Sequence, residues 1–286
     1  MKYKLVIAHR VCPKLAEVAA LYDDKFLMVK DAAMSLAASL SGIRTKLVVI
    51  LDGCDDTYRE LFDSIFGNGK VRGVDYEVLR TPAIGNHSTY ACQLDVLMSY
   101  INQGEYFYFS EDDYIYVCEA FHAMIDFLNK TGVDFITPLD HPDRYSSSIP
   151  ESQRVAIRVS KYCHWREVGT TCCTFMTSQK VFKETLRQLS CYGKGGCDGT
   201  LWLGLTKDGV FNIVRTLWEL IRYVVNGRRD WSKCIVVSAW KYHHFHLLTS
   251  PKYHLWGPMP SLAVHLAKPS LPPFTERLLE KVSSKD

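Results

Sequence analysis

Tyr106-Phe-Tyr-Phe-Ser-Glu-Asp-Asp-Tyr-Ile-Tyr116 changes character abruptly: four strand-forming residues run into three carboxylates and then into aromatics again. Residues 106–109 have the composition of a short strand buried on both faces. Such a strand can end in Glu111, Asp112 and Asp113 only if positive charge waits there, since ionised groups are costly to bury alone. A divalent cation is the simplest partner, and carboxylate oxygens suit Mg²⁺ or Mn²⁺. The carboxyl ends of strands are also where open α/β sheets bind their ligands. An acidic turn facing solvent is the alternative, so the flanking chain has to decide.

Working toward the N-terminus, residues 74–79 read as a strand, followed by a helix from about Ser88 to Tyr100. Residues 46–51 form another buried strand, which ends in the turn Asp52-Gly-Cys-Asp-Asp-Thr with Asp55 or Asp56 as cap of the next helix. Residues 4–8 form the first strand and deliver His9 and Arg10 at its carboxyl end, and residues 13–40 read as two helical segments. Strands alternating with helices predict a doubly wound α/β fold with a mainly parallel central sheet. Its carboxyl edge would carry His9, Arg10, Asp52 and the acidic cluster.

Toward the C-terminus the pattern is less regular. A helix is expected over 117–130, a short strand over 135–137, a loop through 141–148, and strands over 153–160 and 170–176. Ser178 reads as the cap of a helix. The glycine-rich run Gly193-Lys-Gly-Gly-Cys-Asp198 leads into another, with Asp198 either its cap or a group working in the cleft. Residues 211–225 predict a helix with Ile213, Val214, Leu217, Leu220, Ile221 and Val224 on a broad apolar face and Arg215, Arg222, Arg228 and Arg229 flanking it. Core packing is the expected role of that face and peripheral membrane contact the alternative. Residues 234–239 read as a strand; in His243-His244-Phe-His246 alternate residues of a strand would share one face and no cysteine or carboxylate is correctly spaced, so a zinc site there is unexpected.

The 286 residues carry a formal net charge of +3 and 23% charged residues, so no global basic field points to nucleic acid. Ten cysteines without paired C-x-x-C spacing fit free thiols in a reducing, cytoplasmic setting. No apolar run approaches the roughly 20 residues of a membrane span, so no transmembrane segment is expected.

The strand ending at His9, the Asp52 turn, Glu111-Asp112-Asp113 and the Asp198 region together resemble the GT-A glycosyltransferases, closest to the group with an Asp-Gly-Ser-x-Asp-x-Thr turn and a DXD-type metal motif. Cys54 stands where those proteins have serine, and Glu111 replaces the first Asp of Asp-x-Asp, a form also seen in N-acetylglucosaminyltransferases of this fold. The resemblance runs over residues 1–267 as one domain, with 1–113 as the nucleotide-sugar half, 114–267 as the acceptor half and 268–286 as a C-terminal tail. It implies a Rossmann-like GT-A sheet, nucleotide-sugar binding by His9, Arg10, Asp52, Glu111 and Asp112, and a metal held by Asp113, Glu111 and His265. It implies Asp198 as general base. His265 enters through Pro260-Ser261-Leu-Ala-Val-His265, which fits the Pro-Ser-x-x-x-His segment near the end of many members.

The expected activity is then a Mn²⁺- or Mg²⁺-dependent transfer of a sugar from a nucleoside-diphosphate donor, UDP being the family default, to a hydroxyl of a glycan or glycoconjugate. A base opposite the leaving group implies inversion at the anomeric carbon. Two other readings stay open: a sugar nucleotidyltransferase, which would want a glycine-rich loop after the first strand, and a noncatalytic carbohydrate-binding protein that retains the fold. Asp52 as a plain turn former and His265 as a satisfied structural histidine are the bland alternatives at those positions.

Overall fold

The computed structural model describes residues 1–17, 19–145, 156–225 and 234–283. In chain order the elements are β1 (Tyr3–Val11), α1 (Lys25–Leu40), β2 (Thr45–Asp52), α2 (Asp56–Phe66), β3 (Val74–Thr81), α3 (Asn86–Ser99), β4 (Gly104–Glu111), β5 (Tyr114–Tyr116), α4 (Ala120–Thr131) and β6 (Phe135–Ile136). They continue with β7 (Ile157–Val159), β8 (His164–Val168), β9 (Phe175–Ser178), α5 (Gln179–Leu189), α6 (Asp198–Thr206), α7 (Ile213–Val225), α8 (Ile235–Thr249), β10 (Leu255–Met259), β11 (Ala263–His265) and α9 (Thr275–Ser283).

Among the described residues one sheet runs in the order β3-β2-β1-β4-β9-β6-β10-β8-β7, and β5 and β11 form a separate antiparallel pair. The first four strands are all mutually parallel, whereas β9 joins β4 in the antiparallel sense and the far half is mixed. This is the expected mixed α/β sheet flanked by helices. The period-two alternation of strands divides its side chains between two cores. Leu5, Ile7 and Tyr108 pack with α1, α2 and α4 on one face, and Val6, Ala8, Phe107 and Phe109 pack with α3, α5 and α6 on the other. Phe109 stacks at 4.5 Å on Phe175 and 5.4 Å on Tyr90. Burying such a ring is worth about 2–3 kcal/mol, so the acidic cluster hangs from a strand anchored in both cores.

Local chemistry sets several boundaries where the sequence places them. Asp55 caps α2 by accepting from the Thr57 N–H, and the Ser178 hydroxyl accepts from Val181 at the start of α5. The Asp52-Gly53 turn needs its glycine twice over. Gly53 has φ +68°, and a Cβ there would stand 2.7 Å from the Ala83 Cβ.

Elsewhere the structure corrects the sequence reading. Among the described residues of 13–24 there is no helix; α1 begins at Lys25, where the Asp24 carboxylate accepts from the N–H groups of Phe26 and Leu27. Residues 234–239 are not a strand but open α8, because Val236 and Ala239 are needed, one helical turn apart, against Leu203 and Val210. His243 and His246 thus lie on a helix. His243 is buried so tightly against α6 that a Cβ on Gly204 would come within 2.3 Å of its ring. The expected strand over 170–176 is displaced to β9, and of the one over 153–160 residues 153–155 lie outside the described residues and β7 is the strand formed by the rest. Ser146–Ser148, Arg228 and Arg229 lie outside them. The apolar side chains of α7 do not pack into the core but face outward. Within the segment read as a tail, α9 buries Leu278 in the first core.

Candidate active site

The carboxyl edge of the parallel strands opens into a cleft of about 540 Å³ whose walls include Arg10, Lys25, Asp52 and the three carboxylates from Glu111 to Asp113. Neighbouring strands deliver them in register, with Arg10 opposite Glu111 across β1 and β4. Strand alternation separates His9 from this group. Its ring turns to the other face, where Nδ1 lies 2.8 Å from the Ser110 hydroxyl and the ring centroid 5.7 Å from that of Phe62. Burial pushes the His9 pKa down to about 3, and the nearby Lys25 charge adds to that, so the ring is neutral and shut away from the cleft.

Each carboxylate has a different set of partners. Glu111 accepts from Arg10 Nη2 at 2.5 Å and from the Thr174 hydroxyl at 2.9 Å. Arg10 also donates to the carbonyl and side-chain oxygens of Asn86 and lies over the rings of Tyr90 and Tyr192. Asp112 pairs with Lys25 Nζ at 2.8 Å and accepts from the Cys12 N–H. Asp52 is saturated: the Thr81 and Thr89 hydroxyls and the backbone N–H groups of Ile84 and Gly85 all donate to it. Burial alone would raise the Asp52 pKa, but these four donors together hold it below the ordinary value.

Asp113 differs from the other three. Its Oδ2 lies 3.2 Å from His265 Nε2, and its Oδ1 is buried with no hydrogen-bond partner. The β5–β11 pair brings the two residues together across 152 positions, setting His265 opposite Tyr114, and the rings stack at 4.6 Å. The Pro-Ser part of the segment has its own work here. Ser261 accepts from the Asp140 N–H and donates to the Ala263 carbonyl, which ties β11 to the sheet. Burial opposes the charge on both partners, yet the pairing prevails, holding Asp113 below the usual carboxylate range and His265 well above the usual imidazole value.

The donor set of Asp113 and His265 fits a divalent cation. The imidazole nitrogen faces Oδ2 of a carboxylate whose Oδ1 has no partner, and a cation would replace the proton that Nε2 and Oδ2 now share. Among the described residues no three acidic, histidine or cysteine side chains converge on one point, so the chain would supply two ligands and leave other positions to substrate and water. Glu111, expected as a third, is committed to Arg10 and Thr174.

Asp198 lines a second cleft of about 460 Å³, with His87, Tyr192, Ile235 and Ser238 among its neighbours. A ridge separates the two clefts: Asn86 lines the first and donates to the Tyr192 hydroxyl at 2.9 Å, while His87 lines the second. Asp198 is the first residue of α6, and the cap position belongs to Cys197, so the cap reading does not hold. Its Oδ1 accepts from the Cys173 thiol at 3.1 Å. Burial, and then the negative charge of Glu111, lift its pKa to about 6, where a carboxylate becomes a competent proton acceptor near neutrality.

Sequence reading missed Lys25, Asn86, Thr174 and Tyr192. None belongs to a motif; each enters the site because a helix start or strand end happens to face the carboxylates. Trp165 and Trp202 are fully buried core. Arg144 and Arg166 surround the buried carboxylate of Asp140 and face neither cleft.

No protein-family profile and no curated protein sequence matches this chain. Solved structures do show partial likeness. TarS residues 1–349 from S. aureus in complex with UDP superposes with TM-score 0.44 at 13% identity, covering 70% of this chain and 54% of that one. The same TarS fragment in complex with UDP-GlcNAc gives 0.40 at 15%, covering 64% and 47%. A cytidylyltransferase from Leptospira borgpetersenii serovar Hardjo-bovis gives 0.35 at 14%, covering 64% and 63%. The chain thus spans less than two thirds of each of these structures, and no residue role passes across matches this partial. What stands on the strand order itself is a mixed α/β fold with a parallel half, β3-β2-β1-β4.

Proposed function

We propose that this chain is a divalent-metal-dependent, inverting glycosyltransferase that moves a sugar from a nucleoside-diphosphate donor, with UDP favoured, to a hydroxyl of a glycan or glycoconjugate. The observation that carries the proposal is the Asp113–His265 pair with its unpartnered oxygen, set at the edge of a parallel sheet and across a ridge from Asp198. Mn²⁺ or Mg²⁺ held there would act as a Lewis acid on the departing diphosphate.

The chain's own residues account for the remaining roles. Arg10 holds and neutralises Glu111 by a 2.5 Å ion pair. Lys25 neutralises Asp112. Without it the cleft would repel an anionic donor. The acceptor oxygen attacks the anomeric carbon, the bond from that carbon to the diphosphate oxygen breaks and leaves its electron pair on the diphosphate, and the acceptor proton passes to Asp198. Attack from the side opposite the leaving group inverts the centre. Nucleotidyl transfer gains nothing from the loop after β1, since Cys12-Pro-Lys14 offers no glycine-rich phosphate cradle.

The test is thermal unfolding of the chain with UDP, GDP, CMP or dTDP, each with and without Mn²⁺. A ligand at 100 times its Kd stabilises the folded state by about 2.7 kcal/mol. The expected result is a Mn²⁺-dependent upward shift with one nucleotide, absent in Asp113→Ala. No shift with any nucleotide would leave the noncatalytic reading in its place. A shift accompanied by pyrophosphate release from a nucleoside triphosphate and a sugar phosphate would instead identify a nucleotidyltransferase.

A further inference from the structure

Three consecutive residues ahead of β9 reach three groups of the site. The Cys172 sulfur lies 3.6 Å from His265 Nδ1, the Cys173 thiol donates to Asp198 Oδ1 at 3.1 Å, and the Thr174 hydroxyl donates to Glu111 at 2.9 Å. Cys172 packs against the core that holds Tyr108, and Cys173 is buried in the one that holds Phe109. The backbone that carries them is fixed from elsewhere. Trp202 Nε1 donates to the Cys172 carbonyl at 3.3 Å, the Thr137 hydroxyl donates to the Thr174 carbonyl at 3.2 Å, and Phe175 pairs with Phe109 of β4.

We infer that Cys172 and Cys173 are positioning residues, one for each cleft: Cys172 turns the imidazole of His265 toward the cation position, and Cys173 holds the carboxylate of Asp198 as base. The inference rests on the proposed function and adds two residues that no motif supplies.

A ring nitrogen takes a cation only while it is bare, and the imidazole proton then sits on the other nitrogen. Nε2 faces Asp113, so that proton belongs on Nδ1, and the Cys172 sulfur is there to accept it. Stacking on Tyr114 sets the plane of the ring; the sulfur decides which edge of it turns to Asp113. A partner of this kind behind a metal-binding histidine typically changes metal affinity by about 10- to 100-fold.

A thiol is a weak donor, so Cys173 holds Asp198 in place without saturating it as four donors saturate Asp52. The other charged groups around Asp198 act through space: Glu111 favours its protonated form, and Arg10 and His265 favour the carboxylate. Tyr90, Tyr192, Cys172 and Cys191 stand beside it with raised pKa values, as neutral groups, and His87 lines the same cleft. The bond from Cys173 also favours the carboxylate, so its removal leaves burial and Glu111 less opposed.

Two readouts separate the roles, and neither needs sugar transfer. Mn²⁺ binding is followed by loss of the free-ion EPR signal, and the protonation of Asp198 by carboxyl carbon-13 NMR of aspartate-labelled protein, with Asp198→Asn to assign the resonance. Cys172→Ala should weaken Mn²⁺ binding about tenfold while Asp198 titrates as in the parent, and Cys172→Ser, which keeps an acceptor, should recover most of that loss. Cys173→Ala should move the Asp198 titration up by about half a pH unit or more with Mn²⁺ affinity unchanged, and Cys173→Ser should return it to the parent value or below. A mere packing defect would move both readouts together or neither, and either result in the alanine variants would overturn the inference. So would serine variants that behave as the alanines do. Nucleotide-dependent thermal shifts on the same preparations distinguish the two proposals. Shifts that persist while the readouts fail to separate sink only the positioning roles; separated readouts without any nucleotide shift sink only the glycosyltransferase reading. A parent that binds no Mn²⁺ overturns the Cys172 role together with the proposed metal dependence, and the NMR titration alone then decides Cys173.

Discussion

Asp52 and Asp113 stand at the ends of strands on one edge of one sheet, yet they do opposite things. Asp52 receives four donors and ties the loop between β3 and α3 to β2. Asp113 receives one histidine and keeps a buried oxygen without a partner. A carboxylate whose lone pairs are all engaged contributes to folding. One left partly unsatisfied costs stability and persists where a ligand completes it. The number of donors each residue finds therefore separates scaffold from site more sharply than the motif each belongs to.

Substitution at the two positions should pull stability and function apart. Asp113→Ala should lower sugar transfer by about 10³-fold, roughly 4 kcal/mol of transition-state stabilisation, and the loss of the His265 partner should cost the fold about 1–3 kcal/mol. Steady-state kinetics and urea denaturation on one preparation would check both numbers. Asp52→Ala should act on the fold alone. It strands buried donors at Thr89 and in the 81–85 loop, for a loss of about 3 kcal/mol in urea denaturation. A stable Asp52→Ala protein that fails to bind nucleotide would erase the distinction.

Asp198 sharpens the comparison from the other cleft. Asp198→Asn should reduce kcat by about 10²- to 10³-fold with the nucleotide shift retained, because the base acts on the acceptor and not the donor. It should be at least as stable as the parent at neutral pH. The folded-state pKa is raised, so the folded state holds this proton more tightly than the unfolded chain does, and ionisation between the ordinary value near 3.8 and about 6 lowers stability. The smallest effect is the pH profile of the parent. A base must be ionised to work, so kcat/KM should fall about tenfold per pH unit below about 6 and level off above it. The absence of that acid limb would remove Asp198 from the role.

Much of the first half was legible in the sequence because its strands are short apolar runs bounded by turn residues, a pattern set by local chemistry and by burial on both faces. The caps at Asp55 and Ser178 and the Asp-Gly turn belong to the same class. The stretch at 234–239 was misread because β-branched residues favour a strand until a neighbouring helix claims their helical face; α6 does so through Leu203, and through a glycine that lets His243 close in. The helix α7 was misread for the opposite reason: its apolar period is real, but period does not say which way a stripe faces.

The sequence by itself determined which residues could carry charge at strand ends, because composition and period dictate where a buried strand stops and a carboxylate begins. Only the tertiary structure decided what each carboxylate is for. Asp52, Glu111, Asp112 and Asp113 are alike as residues, and they differ in the partners delivered from elsewhere: a threonine loop, Arg10, Lys25 and His265. Those partners come from residues 29 to 152 positions away, and the cost of burying charge makes such long-range pairings, more than any local motif, set the state of each group.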